Sequence, residues 1–67
     1  MNYDYEKGII GNMLLYPENI ISTLNLKTND FNKPENKIIF QTIIDMFKDS
    51  KLINNITIAE EFKFKNG

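Results

Sequence analysis

Two prolines divide a chain whose apolar residues keep a helical spacing almost throughout. Before Pro17, apolar residues recur every three or four positions, which indicates an amphipathic first helix over about residues 4–15: Tyr5, Ile9, Met13 and Tyr16. Proline suits the first position of a helix, because its missing N–H is not needed there. Pro17 and Pro34 therefore each predict the start of a further helix.

The helix that begins at Pro34 has the clearest amphipathic pattern and is expected to reach residue 48 or 49. Its apolar residues form one stripe, and its charged residues lie mainly on the other side. A fourth helix is expected over about residues 58–65. Its start is predicted from Thr57 followed by Glu60, which has the pattern of a capping box.

These elements predict an all-α fold, a small compact bundle of four to five short helices, with residues 1–67 as one domain. Close packing of another backbone is the favoured reason for Gly11 in the first helix. The following residues are expected to form the core: Ile9, Ile10, Met13, Leu14, Ile20, Ile21, Leu24, Phe31, Ile39, Phe40, Ile43, Ile44, Phe47, Ile58 and Phe62.

The residue types on which most catalytic sites depend are missing. The 67 residues include no cysteine and no histidine, which removes the commonest general base and the usual ligands of transition metals. There is no G-x-x-x-x-G-K-[ST] motif to bind the phosphates of ATP. Glu60 and Glu61 are neighbours on a helix and point about 100° apart, so they do not converge on one substrate. The sequence predicts no enzymatic activity, no cofactor and no metal site.

The charge balance does not favour nucleic acid or membranes as partners. The formal net charge is -1, and the eight basic residues are lysines scattered along the chain. Proteins that bind nucleic acid usually carry a basic stripe, so direct contact with DNA is not expected, although a small helical DNA-binding regulator stays open as an alternative. No apolar run approaches the ~20 residues that span a bilayer. Asp4 and Glu6 stand where a signal peptide would be positive, so a cytoplasmic location is expected.

Several short motifs, taken in order, resemble one known family. The run from Glu6 to Pro17 reads E-K-G-I-I-G-N-M-L-L-Y-P, and Asp30-Phe31, the helix around Ile39-Phe40 and the segment around Thr57 follow it. This order resembles the N-terminal domain of DnaB-type replicative DNA helicases, over about residues 6–61. The family-matching positions are Glu6, Ile10, Gly11, Leu14, Pro17, Asp30, Phe31, Ile39, Phe40, Thr57 and Ile58.

The resemblance implies a non-catalytic interaction domain of DNA replication. In the family, this helical head precedes a helical hairpin, a linker helix and a RecA-like ATPase, and the present sequence matches the head without the hairpin. The heads form a collar on the hexameric ring, which helps to hold subunits together. The expected partners are therefore further copies of the chain or a replicative helicase, primase or helicase loader. A standalone phage- or plasmid-type mimic that modulates the host helicase or its loader is the alternative.

Four residues depart from what the family commonly carries. Tyr16 replaces an aspartate that would cap the second helix, and Asn36 replaces a histidine. Ser50 replaces a glycine in the turn after the third helix, and Asn54 replaces an aspartate. These departures are expected to be changes within the same fold.

Apolar residues near the end of the chain are the candidates for a partner interface. They are expected to form surface that the rest of the family's N-terminal region would cover, and they are Leu52, Ile53, Phe62 and Phe64. Phe64 is the favoured contact residue, because Phe62 already fits the inward stripe and the two side chains point about 200° apart on a helix. The alternative is that Phe64 folds back over the first helix as part of the core.

Overall fold

The computed structural model describes the backbone of residues 2–66 and the side chains of residues 2 and 4–64. This part of the chain contains three α-helices and two 3₁₀ helices and no strand, which confirms the all-α prediction. In chain order they are α1 (Tyr3–Leu15), the first 3₁₀ helix (Pro17–Thr23), the second 3₁₀ helix (Thr28–Asp30), α2 (Pro34–Lys48) and α3 (Asn55–Asn66). None of these helices is long and apolar enough to cross a membrane.

The helix α2 is the central element, because α1, α3 and the second 3₁₀ helix all pack against it. Ten buried apolar residues from all parts of the chain form one core: Ile10, Met13, Ile20, Phe31, Phe40, Ile43, Ile44, Met46, Ile53 and Ile58. Six more lie half-buried at its edge: Ile9, Leu14, Leu26, Ile39, Phe47 and Phe62. Most of the predicted core is therefore confirmed, and Leu26, Met46 and Ile53 are additions to it.

The prediction that Ile21 and Leu24 belong to the core was wrong. The segment after Pro17 is a 3₁₀ helix, in which side chains three positions apart lie above one another. Ile20 therefore aligns with Pro17 and Thr23, whereas Ile21 aligns with Leu24. Ile20 is fully buried, while Ile21 is 65% exposed and Leu24 is exposed as well. The tighter helix separates two stripes that an α-helix would have merged.

The start of α3 was predicted one turn too late. Asn54 is the capping residue, and its Oδ1 accepts the backbone N–H groups of Ile56 and Thr57, both at 2.9 Å. The hydroxyl of Thr57 in turn accepts the backbone N–H of Asn54 at 2.9 Å. This reciprocal pair is a capping box between residues 54 and 57, so Thr57 closes the box from inside the helix instead of opening it.

The end of α2 explains the turn at Ser50. The backbone N–H of Ser50 donates to the carbonyl of Phe47 at 3.1 Å, and that of Lys51 donates to the carbonyl of Met46 at 2.9 Å. This pair of bonds is a Schellman motif, whose turn residue adopts a left-handed backbone. Ser50 has φ of 57°, a conformation that favours glycine. The serine is therefore accommodated within the same turn geometry that the family's glycine would serve.

The expectation that another backbone packs closely against Gly11 is not met within the described structure. A methyl group placed on Gly11 or on Gly8 would find no atom within 4 Å outside its own helical turn, and neither glycine has a positive φ. Both glycines thus stand at helical positions of α1 that an alanine could occupy without a clash against the described part of the chain.

Replacing Gly11 with alanine is accordingly expected to stabilise the domain by about 0.5–1 kcal/mol, because alanine has the higher helix propensity. Thermal denaturation followed by circular dichroism should show a rise of several degrees in the melting temperature, and Gly8→Ala provides the matched comparison. A lower melting temperature for Gly11→Ala would show that the position is closely packed after all.

Candidate functional site

Glu6 is a carboxylate that the fold encloses completely. It lies on the same stripe of α1 as Ile10 and Met13, so the apolar face of the helix carries it into the interior. Its Oε2 accepts the backbone N–H of Asn32 at 2.9 Å, and its Oε1 accepts the backbone N–H of Lys33 at 3.2 Å. Both donors stand directly before α2, so Glu6 ties the start of α2 to α1.

A third donor completes the environment of Glu6. The side-chain amide of Asn36, which is itself buried, donates to Oε1 at 3.1 Å. The residue that caps α2, Lys33, makes no side-chain capping bond, since a lysine side chain has no acceptor. Glu6 thus supplies the negative charge that the beginning of a helix favours.

The hydrogen bonds around Glu6 decide its protonation state. Burial alone would raise its pKa, because a low-dielectric interior disfavours the charged form. The bonds from Asn32, Asn36 and Lys33 outweigh this effect, and the pKa lies below its ordinary value of 4.5. Glu6 is therefore ionised at neutral pH with its oxygens engaged, which suits a structural cap and not a general base.

The sequence identified Glu6 as a family-matching residue but did not predict that it is buried. The signal was its position four residues before Ile10 and seven before Met13, on the apolar stripe of α1. Asn36 was noted only as a departure from histidine. In the structure its amide supplies a hydrogen-bond donor to Glu6, a role that a histidine ring nitrogen can also fill.

The four interface candidates fall into different environments. Phe64 is 88% exposed and Leu52 is 73% exposed, so both remain candidates for contact with a partner. Phe62 is half-buried and packs against the core. Ile53 is only 7% exposed, so counting it as interface surface was wrong. After the turn at Ser50 the chain passes over the core, and Ile53 points inward where its neighbour Leu52 points outward.

The outer face of α3 extends this surface. Ile56, Glu60 and Phe64 are spaced four residues apart on the helix, and all three are exposed. Phe64 borders a shallow cleft of ≈ 240 Å³. The other described residues that line this cleft are Lys51, in the segment between α2 and α3, and Thr57, Glu60 and Glu61 of α3. Ile56 was not foreseen as a contact residue, because the predicted helix began after it.

An ion pair fixes one side of that cleft. The Nζ of Lys51 lies 3.0 Å from Oε1 and 3.3 Å from Oε2 of Glu61. The hydrogen bond that Lys51 donates to the carboxylate of Glu61 raises the pKa of Lys51 above its ordinary value, so the amine is charged at neutral pH. Lys51 and Glu61 are both charged, and Phe64 lines the same cleft. The cleft therefore combines an apolar contact group with a charged rim.

The fold and this surface define a class of protein: a small all-α domain that presents apolar contact groups. Among the residues that the structure describes, no three carboxylates come together as a metal site would require. The family model of the DnaB-like helicase N-terminal domain matches residues 1–67, and the chain belongs to this family. No curated protein and no solved structure matches the chain.

Family membership confirms the resemblance to replicative helicases and assigns the chain to DNA replication as a helicase-associated domain, of a kind that is typically non-catalytic. Three of the four departures from the family's pattern have a local structural role. Asn36, Ser50 and Asn54 each serve a local structural purpose, as hydrogen-bond donor, turn residue and helix cap. Tyr16 makes no side-chain capping bond to the first 3₁₀ helix.

Proposed function

We propose that residues 1–67 act as one non-catalytic protein–protein interaction domain of the replication machinery in the cytoplasm. The domain would serve the association of helicase subunits or the contact of the helicase with primase or a loader. The observation that carries this proposal is Phe64, which is 88% exposed, whereas the other four phenylalanines are buried or half-buried in the core: Phe31, Phe40, Phe47 and Phe62.

The energetics of burial support a contact at this surface. Covering a phenylalanine side chain contributes roughly 1.5–3 kcal/mol, and Leu52 and Ile56 would add to this because they are also largely exposed. Aromatic residues dominate the central contacts of protein interfaces, whereas charged groups are commoner at the rim. Phe64 with the neighbouring pair Lys51–Glu61 has that arrangement.

Replacing Phe64 with serine is expected to weaken association with the partner roughly tenfold or more, as the loss of a central aromatic contact does. Helix content should be unchanged, because the side chain contributes little to the core. Sedimentation velocity would measure self-association, and pull-downs with purified replicative helicase, primase and loader would measure the other contacts. Tyr5→Ser, at an exposed aromatic of α1, is the matched control.

Two results would contradict the proposal. One is a monomer at high concentration together with blank pull-downs for all three partners. The other is an equal loss of binding in Phe64→Ser and Tyr5→Ser. This result would mean that an exposed aromatic residue supports binding to the partner wherever it lies on the domain surface.

A further inference from the structure

A second surface lies on the side of α2 that faces the two 3₁₀ helices. It is a cleft of ≈ 320 Å³, which we call the α2 groove, lined by Leu24, Leu26, Lys27, Thr28, Phe40, Gln41, Ile44 and Lys48. Phe40 and Ile44 are core residues and form its floor. Leu24, which the 3₁₀ geometry turns away from the core, stands exposed at its wall. The groove is therefore apolar at its base and open to solvent.

The rim of the α2 groove is positive. Among the described residues that line it, Lys27 and Lys48 are charged and none carries a carboxylate. Within the described part of the chain, neither lysine forms an ion pair, whereas Lys33 and Lys51 pair with Glu35 and Glu61. The described lining of the groove therefore carries two positive charges and no negative charge, in a chain of net charge -1.

Carboxylates lie near these lysines without lining the groove. Oδ2 of Asp30 accepts the backbone N–H of Lys27 at 2.8 Å, and Oδ1 of Asp45, one turn before Lys48, accepts a hydrogen bond from the side-chain amide of Gln41 at 2.8 Å. Charge and shape together then favour one kind of ligand. An apolar group would fill the base, and carboxylates beside it would meet Lys27 and Lys48.

We propose that the α2 groove binds a short acidic segment of a partner protein, in which apolar side chains are flanked by carboxylates. The proposal is separate from the surface around Phe64, because the described residues that line the two clefts are all different. A free phosphate would leave the apolar floor exposed, and a nucleic-acid strand would need a longer basic track than two lysines. An acidic peptide uses both the floor and the rim.

The test uses residues 1–67 and a defined probe, a fluorescein-labelled peptide of sequence Asp-Glu-Leu-Phe-Glu-Asp, whose binding is followed by fluorescence anisotropy. A dissociation constant of about 10⁻⁴ to 10⁻⁵ M is expected for a small, partly open groove. The double variant Lys27→Glu with Lys48→Glu should weaken binding at least tenfold. The control, Lys7→Glu with Lys63→Glu, changes the net charge equally at exposed lysines that do not line the groove and should bind as the parent does.

The apolar part of the proposal is tested separately. Leu24→Ser, which alters only an exposed wall residue, should weaken binding while the melting temperature stays unchanged. A peptide with serine in place of Leu and Phe, and one with amides in place of its carboxylates, should each bind more weakly than the probe. Circular dichroism of every variant confirms that the fold is retained.

Several outcomes would overturn the proposal. Equal loss in both double variants would show attraction to overall charge alone, and equal binding of the serine peptide would show that the floor takes no part. Undetectable binding of the probe at millimolar concentration would also overturn it. So would a dimer that Lys27→Glu with Lys48→Glu dissociates, because a second copy of the chain would then occupy the groove.

Discussion

Replacing Phe40 with alanine is expected to lower the free energy of unfolding by about 3–5 kcal/mol. Phe40 is almost fully enclosed, and its ring centroid lies 4.7 Å from that of Phe31. The substitution removes this aromatic contact and leaves a cavity that the surrounding helices can fill only in part. Because a domain of this size has a total stability of about 3–5 kcal/mol, the variant should be largely unfolded at room temperature.

Circular dichroism at the helix minima and chemical denaturation would measure this effect. The control is Ile38→Ala, which lies on the same helix at an exposed position and should change stability by less than about 0.5 kcal/mol. A Phe40→Ala variant that melts cooperatively at the parent's temperature would show that the core is not centred on this ring pair.

Replacing Glu6 with glutamine is expected to give the largest loss of stability of any glutamate substitution in the described chain. The amide keeps one oxygen but brings an NH₂ group toward three donors, from Asn32, Lys33 and Asn36, so at least one buried or partly buried donor loses its acceptor. The matched control is Glu35→Gln, because Glu35 is exposed in the first turn of α2. Its melting temperature should stay close to the parent's.

The pH dependence of the melting temperature provides a second measurement of the contribution of Glu6. The folded-state pKa of Glu6 is lowered, so its contribution is complete above the ordinary value of 4.5 and disappears as the pH falls through the lower folded value. The difference in melting temperature between the parent and Glu6→Gln should be constant near neutrality and should shrink under acid. A difference that does not change with pH would show that the charge of Glu6 does not stabilise the fold.

The apolar spacing predicted the helices well where many residues contributed to one stripe. The prediction of α2 was accurate because its stripe runs over four turns, and its core residues Phe40 and Ile43 were predicted correctly for the same reason. Ile20, Ile21 and Leu24 share one face in an α-helix but not in a 3₁₀ helix, and the sequence of this segment does not by itself decide between the two pitches. Ile53 lies in a linker, where no periodicity indicates which side is buried.

The candidate site was predictable only in part. Phe64 was placed outside the core correctly, since helical geometry separates it from Phe62 by about 200°. The burial of Glu6 depends on its donors at residues 32, 33 and 36, which are 26 to 30 positions away in the chain. The start of α3 was ambiguous, because residues 54 and 57 and residues 57 and 60 both fit a capping box.

The cap on α2 also determines how far the domain can be divided. A helix usually carries its own capping residue, but Lys33 before α2 makes no side-chain capping bond. Glu6 of α1 instead accepts the backbone N–H groups of Asn32 and Lys33 directly before α2, and the side-chain amide of Asn36 in its first turn. A piece that began at Pro34 would leave the buried amide of Asn36 without its acceptor and would expose the core side of α2. We therefore expect a division at Pro34, the junction that the sequence marks most clearly, to destabilise both pieces.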